Sequence, residues 1–355
     1  MSELDNLQLY NEIDKDGMYG LIFNFPEQIG KATVIGSEID ISRQDYLGVK
    51  NIVLAGMGGS AIGGDMAASY FRNTLKVPFA VCRNYQLPAY VDSDSLVIVS
   101  SYSGNTEEML SAFTDAVTRK AKIICITTGG QLARQANKFK CQKITIPSRF
   151  QPRAALGFSM IPIFYILHKL GQVDFDESLF REVARGLKAY RGQYSRESSL
   201  DKNPAKMLAQ KLRGKMPIIY SGPDLLDAVA TRWKGQICEN AEMLAFHNYF
   251  PEFNHNELVG FNVIDEYKKY ITAVILRDSD DHDRVSKRMN IIKDLLEEKG
   301  IEVVTVYSQG DFPLGRMFSL IQLGDFASFY LAILNKVDPT PVKPIEALKR
   351  KMAEK

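Results

Sequence analysis

Cysteine is scarce in this sequence, and neither sign of charge is in excess. The four cysteines, Cys82, Cys125, Cys141 and Cys238, show no C-x-x-C spacing. Their scatter argues against a disulfide framework or a zinc site and indicates reduced thiols in a cytoplasmic protein. The 44 Lys and Arg nearly balance the 42 Asp and Glu, for a net charge of +2. This balance gives no basis for expecting nucleic acid or an anionic membrane as a partner.

Targeting signals and long apolar runs are lacking as well. The first six residues are acidic and have neither the basic nor the apolar region of a signal peptide. No apolar run approaches the roughly 20 residues that a membrane-spanning helix needs. No cluster of metal-ligand residues is evident either. We therefore expect no membrane, no metal and no cofactor.

What the sequence does have is a glycine-rich turn between a strand and a helix. In the strand predicted at 51–55, the residues after Asn51 are apolar and typical of a buried parallel strand, and a helical pattern follows the turn. Between them, Gly56, Gly58 and Gly59 let the backbone turn sharply and approach a ligand closely. Ser60 opens the helix, whose N-terminal N–H groups favour an anion. No Lys follows Gly59, so the turn is not a P-loop.

A second turn of the same kind follows the strand at 96–99. Ser101, Ser103 and Thr106 place three hydroxyls around a Gly-Asn pair, just before another helix. The carboxyl ends of neighbouring parallel strands meet at one edge of a sheet, so the two turns can share one phosphate. For any single hydroxyl the alternative is helix capping, which is common after a strand. For the whole set, including Ser60, a phosphate site explains the pattern better.

The alternation of strands and helices predicts an α/β fold with two doubly wound parallel sheets. A chain of 355 residues is long enough for two domains. The second half repeats the strand–turn–helix order, but its turn at Ser221-Gly222 is poor in glycine and hydroxyls, which indicates a degenerate copy without a phosphate site. The predicted segments are an N-terminal helical segment packed on the first domain (1–48), a phosphate-binding domain (49–174), a charged helical connection (175–214) and a second domain with a C-terminal helix (215–355).

Three polar residues outside the turns are candidates for chemistry. Arg153 precedes an apolar helix, where a guanidinium can pair with an anion. Glu239 falls among apolar neighbours on a helix, which favours a raised pKa and the role of a general base. His255 stands between two asparagines with Glu257 nearby, so that its tautomer can be fixed. The ordinary alternatives are a surface arginine, an exposed helical glutamate and an exposed loop histidine.

Taken together, these motifs resemble the bifunctional phosphoglucose/phosphomannose isomerases, which are two-domain proteins of the sugar isomerase (SIS) superfamily. The resemblance covers nearly the whole chain, and it implies two SIS-type domains. The motifs are Gly56-Met-Gly-Gly-Ser-Ala-Ile-Gly63, Ser101-Tyr-Ser-Gly-Asn-Thr-Glu107, Pro152-Arg-Ala-Ala-Leu-Gly157, Glu239-Asn-Ala241 and Asn254-His-Asn-Glu257. The second of these, the hydroxyl turn, alone indicates only a sugar-phosphate SIS domain, whereas the last two together are far more specific to this family.

The resemblance implies interconversion of glucose 6-phosphate and mannose 6-phosphate with fructose 6-phosphate through a cis-enediol(ate). Glucose and mannose phosphates share this enediol, so one base can serve both C2 epimers. The positions implied to bind the phosphate are Gly59, Ser60, Ser101, Ser103 and Thr106.

The resemblance also implies roles for the candidates outside the two turns. Arg153 matches the arginine that stabilises the enediolate, and Glu239 matches the base that moves a proton between C1 and C2. His255 matches a ring-opening histidine that the partner subunit of a homodimer supplies in this family. Lys349 matches a C-terminal lysine near the sugar ring, although Lys343 is close by in the sequence.

Two other classes of protein fit part of the pattern. Gly56-x-Gly58-x-x-Ala61 fits a relaxed dinucleotide fingerprint, but the next strand ends at Arg83, without an acidic residue for a ribose. Such an enzyme could only favour NADP. A non-catalytic sugar-phosphate sensor would keep the hydroxyl turn, yet it has no need of Glu239 together with His255. The presence of both residues favours an enzyme.

Overall fold

The computed structural model describes residues 2–354 and begins with three helices that bridge the two halves of the chain. These helices are α1 (Leu7–Ile13), α2 (Met18–Phe23) and α3 (Phe25–Ser37). In the second half, Tyr10 stacks on Phe329 and Phe25 stacks on Phe318. α3 also packs on the first-domain helix at 156–169. The prediction that this segment packs on the first domain is therefore incomplete, because its aromatic side chains also bury against the second.

The first sheet lies between two layers of helices. Its strands are β1 (Asn51–Gly56), β2 (Phe79–Cys82), β3 (Ser95–Ser100), β4 (Lys122–Thr127) and β5 (Gln142–Thr145). All run parallel, in the order β2-β1-β3-β4-β5. The helices are α4 (Gly59–Phe71), α5 (Glu107–Thr118), α6 (Gly130–Lys138) and α7 (Leu156–Lys169). Along β1, Ile52 and Leu54 join the apolar core with α4 and α7, whereas Val53 and Ala55 join the core with α5 and α6, as the two-residue strand period requires.

The apolar patterns of the sequence predict strands at 77–81 and 144–146 and a helix from Ile161, and all three elements begin at other residues in the structure. β2 begins at Phe79 and not at Val77. Pro78 has no N–H for the ladder and contributes only its carbonyl, which accepts from the Ile52 N–H at 2.8 Å. β5 begins two residues before the predicted 144–146. α7 begins at Leu156, five residues before the predicted start.

The connection between the domains consists of two further helices with buried faces. They are α8 (Ser178–Arg191) and α9 (Pro204–Leu212). Phe180, Val183 and Leu187 of α8 are buried, while its charged residues face solvent, which is the pattern of an amphipathic helix. The charged residues of the connection therefore lie mainly on its outer surface, and its inner face is largely apolar.

The second sheet is smaller and also parallel. Its strands are β6 (Met216–Ser221), β7 (Phe246–Tyr249), β8 (Ile271–Arg277) and β9 (Glu302–Tyr307), in the order β7-β6-β8-β9. The sequence analysis missed β7, because this exposed edge strand contains His247 and Asn248 and lacks an apolar run. The helices are α10 (Asp227–Ala241), α11 (Asp283–Glu298), α12 (Pro313–Asn335) and the C-terminal α13 (Lys343–Ala353).

α12 is the central helix of the protein. It packs against α8, α9 and α10 and contacts α1 and α2. By length and a mean hydropathy of 1.5 it could cross a membrane, which corrects the prediction that no segment approaches such a span. All residues of its apolar window are buried inside the protein, however, so α12 has the character of a core helix.

Candidate active site

The turns after β1 and β3 meet at the carboxyl edge of the first sheet. Gly58 adopts φ +49° ahead of α4, a conformation that glycine takes without steric cost. Ser60, in the first turn of α4, accepts a hydrogen bond through Oγ from the Tyr102 N–H at 3.2 Å. A Cβ added to Gly59 would lie 2.6 Å from the Pro152 carbonyl oxygen. The first turn thus touches both the hydroxyl turn and the loop that carries the candidate arginine.

The hydroxyls of the second turn bond to one another. Ser101 Oγ lies 3.0 Å from Thr106 Oγ1 and accepts from the Gly104 N–H at 3.2 Å. Ser103 Oγ accepts from the Asn105 N–H at 3.2 Å. Thr106 precedes α5 but makes no side-chain cap to it. Helix capping is therefore not what the Thr106 hydroxyl does, and its proton remains available to an incoming acceptor.

Backbone donors complete this edge. Within residues 2–354, the N–H groups of Gly59, Glu107 and Glu108 donate to no protein acceptor. They belong to the first turns of α4 and α5, whose dipoles favour negative charge. Hydroxyls and free N–H groups from two neighbouring strand ends form a cradle that suits a phosphate.

Arg153 lies in a short turn just before α7 and is 3% exposed. Its Nε donates to Asn240 Oδ1 at 2.6 Å, and its Nη2 donates to the Pro339 and Thr340 carbonyls at 2.5 and 2.8 Å. Its Nη1 lies 3.5 Å from Glu239 Oε2. Burial lowers the pKa of the guanidinium, and the Glu239 carboxylate opposes this shift. The pKa of an arginine lies so far above neutral pH that the side chain keeps its charge.

Glu239 lies near the C-terminal end of α10, with its side chain 34% exposed. The sequence placed this carboxylate among apolar neighbours, and the structure adds a buried cation at 3.5 Å. Helix α10 ends two residues later, where Glu242 adopts the left-handed conformation with φ +52°. The end of the helix thus presents the carboxylate beside Arg153 and leaves it open to small molecules.

The structure does not bring the other two candidates to this pair. His255 is exposed at the end of a short turn at 252–255, and Lys349 is exposed on α13. Within residues 2–354, no hydrogen bond or ion pair joins either side chain to Glu239 or Arg153. The single chain therefore assembles the cradle, the arginine and the glutamate, but not the histidine or the lysine.

Sequence reasoning missed the residues that hold Arg153 in place. Arg232 Nη2 donates to the Arg153 carbonyl at 3.0 Å and to Asp325 Oδ2 at 2.7 Å. Asn240 was noted only as part of the Glu-Asn-Ala motif. Asp325 gave a usable signal, because an acidic residue in the middle of an apolar helix must find a partner.

Two further observations concern possible metal ligands and the dinucleotide alternative. Within the part of the chain that the structure describes, no group of three or more His, Cys, Asp and Glu is placed to hold a metal ion. Arg83, which the NADP alternative would need for a 2′-phosphate, pairs with Asp65 of α4.

The fold and the cradle define a protein of the sugar-phosphate SIS class. Residues 46–149 match the model of the SIS domain, and residues 201–352 match that of the bacterial phospho-glucose isomerase C-terminal SIS domain. The chain belongs to the family of bifunctional phosphoglucose/phosphomannose isomerases. It is 47% identical over 337 residues to the protein of that name from Caldicellulosiruptor bescii, covering 95% of this chain and 99% of that protein. The two-domain fold and the resemblance predicted from the motifs are confirmed.

A more distant relative supports the same family, and a solved structure supports the same fold. The bifunctional phosphoglucose/phosphomannose isomerase of Aquifex aeolicus is 38% identical over 314 residues, covering 88% of this chain and 93% of its own. The tagatose-6-phosphate ketose/aldose isomerase of Escherichia coli superposes with a TM-score of 0.72 over 91% of this chain and 95% of its own. At 16% identity, this second similarity supports the fold alone.

Proposed function

We propose that this protein is an aldose–ketose isomerase that interconverts glucose 6-phosphate and mannose 6-phosphate with fructose 6-phosphate. The observation that carries the proposal is the pairing of Glu239 Oε2 with Arg153 Nη1 at 3.5 Å, beside a cradle suited to phosphate. A base and a fixed cation side by side are what proton transfer through an enediolate needs. The names of the relatives support this substrate class.

In the proposed complex the phosphate lies in the cradle and anchors the sugar. Backbone N–H groups at Gly59 and at the start of α5 donate to its oxygens. The hydroxyls that join them are Ser60, Ser101, Ser103 and Thr106. Because this contact is the same for aldose and ketose, it contributes binding energy without favouring either side of the reaction.

Glu239 then transfers one proton within the open-chain sugar. It removes the proton from C2 of the aldose and returns it to C1, while the O1 and O2 protons redistribute to give the ketose. The intermediate enediolate carries negative charge on oxygen, and the Arg153 guanidinium stabilises that charge. No group is oxidised or reduced outside the substrate, so the step needs no co-reactant.

Opening the sugar ring requires a further acid and base. We assign this step to His255 and Lys349, with Lys343 as the alternative lysine. Because His255 is exposed and is not among the residues bonded to Arg153, we propose that the partner subunit of a homodimer supplies it. We also expect the enzyme to work in the cytoplasm, in line with its four free cysteines.

The first test is conversion of fructose 6-phosphate by EDTA-treated protein, with both aldose phosphates quantified. We expect both products, and Glu239→Gln is expected to lower kcat by about 1,000-fold while substrate still binds. Glu242→Gln is the matched control, because it alters an exposed carboxylate at the end of the same helix. Binding without turnover in the wild-type protein would instead indicate a sugar-phosphate sensor.

The shared site can be tested by mixing two inactive variants. In a dimer of Glu239→Gln with His255→Ala, one of the two sites receives both intact residues if His255 crosses the interface. Random re-association then restores about a quarter of wild-type activity. If both residues act within one subunit, the mixture stays inactive, and the proposed exchange is wrong.

A further inference from the structure

The Arg153 guanidinium is held on two of its three nitrogens by acceptors without charge. Nε donates to the Asn240 side chain, and Nη2 donates to two backbone carbonyls of the segment at 339–340. An arginine has five N–H bonds, so among the contacts of residues 2–354 only the two on Nη1 remain without a hydrogen-bond acceptor. Nη1 lies on the side of Glu239. Its distance of 3.5 Å from Glu239 Oε2 is longer than a normal hydrogen bond.

Asn240 is itself fixed in one orientation. Its side chain is fully buried, and its Nδ2 donates to Ser328 Oγ at 2.9 Å. Ser328 Oγ donates in turn to the Asp325 carbonyl at 2.8 Å. Because the single hydroxyl proton of Ser328 is used there, Ser328 can only accept from Asn240. The amide oxygen of Asn240 must therefore face Arg153, which is the orientation that the bond to Nε requires.

Charge explains why an amide suits this position. A carboxylate at 240 would bind Nε equally well, but it would neutralise the guanidinium within hydrogen-bond distance. The neutral amide and the two carbonyls orient the guanidinium without cancelling its positive charge, which can then act through Nη1. Within residues 2–354, Glu239 is the carboxylate that pairs with this buried cation, and Arg153 Nη1 makes no hydrogen bond, so the guanidinium is preorganised for an anion that develops beside Glu239.

We propose that Asn240 is a positioning residue of the isomerase, which directs Arg153 Nη1 toward the enediolate without cancelling its charge. The proposal rests on the proposed function, since it assigns Arg153 to the enediolate. Asn240 contacts neither the sugar nor Glu239 in this role, and it acts only through Arg153. Ser328 supports it by fixing the amide.

Asn240→Ala is expected to lower kcat by about 10- to 100-fold and to leave KM for fructose 6-phosphate within about threefold, because the phosphate cradle is intact. The affinity for 5-phospho-D-arabinonate, whose carboxylate mimics the enediolate charge, should fall by a similar factor to kcat. Ser328→Ala should give a smaller loss of the same kind. Asn240→Asp should also lose kcat, since it keeps the geometry but neutralises Arg153.

Asn335→Ala provides the matched control. Asn335 Nδ2 donates to the Ala241 carbonyl at 2.9 Å, so the variant loses one hydrogen bond at the same helix pair without touching Arg153. It should lower the Tm slightly and leave kcat within about twofold of wild type. If Asn240→Ala behaves like this control, or if Asn240→Asp keeps the wild-type kcat, the proposal is wrong. An inactive wild-type protein would instead overturn the proposed function itself.

Discussion

The two sheets end in turns of opposite chemistry. At the first sheet, hydroxyls and free backbone N–H groups face whatever binds there. At the second sheet, the turn after β8 carries carboxylates of the chain itself, Asp278, Asp280 and Asp281. Arg316 Nε binds Asp278 at 3.0 Å and its Nη2 contacts Asp280, while Arg277 lies 3.5 Å from Asp281. The first edge must take its anion from a ligand, whereas the second already contains its own.

The start of α10, in the second domain, likewise has a carboxylate of the chain itself where the start of α4 has none. Asp227 lies in its first turn and accepts from the next N–H at 2.7 Å. Ser69 of α4 and Arg72, which follows that helix, contact the same carboxylate. A Cβ added to Gly222, after β6, would lie 2.8 Å from Asp281 Oδ1, so a side chain also fills the space above that turn. Equal topology therefore does not give equal sites, because the charges at the strand ends decide which edge accepts a phosphate.

The largest effect is expected from removing hydroxyls at the first edge. Ser101→Ala with Thr106→Val removes the Thr106 hydroxyl, whose proton is available to the phosphate, and the Ser101 hydroxyl that is bonded to it, at about 1.5 kcal/mol or more each. We expect kcat/KM for fructose 6-phosphate to fall by more than about 100-fold, mainly through KM. Ser221→Ala at the second edge, where the hydroxyl donates to the Gly222 carbonyl at 3.0 Å, should leave both constants unchanged. Similar losses in both variants would erase the contrast between the edges.

The second-largest effect is the difference in activity expected between alanine variants of the two turn glycines, Gly59 and Gly222. In Gly59→Ala the new Cβ meets the Pro152 backbone at 2.6 Å, so the loop carrying Arg153 must shift, at a cost of about 100-fold in kcat/KM. In Gly222→Ala the close contact is with the Asp281 side chain, at 2.8 Å, which can move more easily than backbone. That variant should keep its activity and lose about 1 kcal/mol of unfolding free energy. Steady-state kinetics and urea unfolding distinguish the two.

Breaking the ion pairs of the second edge should affect stability and not catalysis. Asp278→Asn leaves the buried Arg316 guanidinium without its main counter-charge, which we expect to cost about 2 kcal/mol of unfolding free energy. Asp280→Asn is the control, because Asp280 is 66% exposed and exposed pairs contribute less than about 1 kcal/mol. A rise in KM for Asp278→Asn would show that this edge contributes to substrate binding after all.

The smallest effect is a pH dependence at the start of α10. Burial raises the pKa of Asp227, against the hydrogen bond from Ser69. The folded state therefore keeps a proton at pH values where the unfolded state has lost it, and stability falls as pH rises through the raised pKa. Asp227→Asn should make this decline shallower just above the ordinary aspartate pKa, measured by urea unfolding at several pH values. The control Asp224→Asn, which changes an exposed carboxyl, should leave the decline as steep as in the wild type. An unchanged slope in Asp227→Asn would contradict the expected direction.

Sequence reasoning succeeded where the determinants are local. Apolar runs such as 51–55 and 96–99 predicted the central strands, because both faces of a parallel sheet are buried. It failed at β7, where an edge strand needs no apolar run. It also failed at the interior of the candidate site. Arg153 bonds to Asn240, which is 87 residues away, and to Thr340, which is 187 residues away, and no local pattern encodes such distances.

The N-terminal helices illustrate a related limit. Their apolar residues predicted packing, but not that Tyr10 and Phe25 would pack against α12. A hydrophobic side chain carries no information about which of two apolar surfaces it will cover. The resemblance to a family supplied roles for His255 and Lys349 that the contacts of a single chain do not.

The position of α12 in the chain has a consequence for biosynthesis. The ribosome releases α1 and α3 well before α12, so the aromatic side chains of Tyr10 and Phe25 wait for their partners while the two sheets are made. Arg232 and Asn240 likewise leave the ribosome before Asp325 and Ser328. The nascent chain therefore exposes aromatic surface, and its future site stays hydrated, until α12 is made.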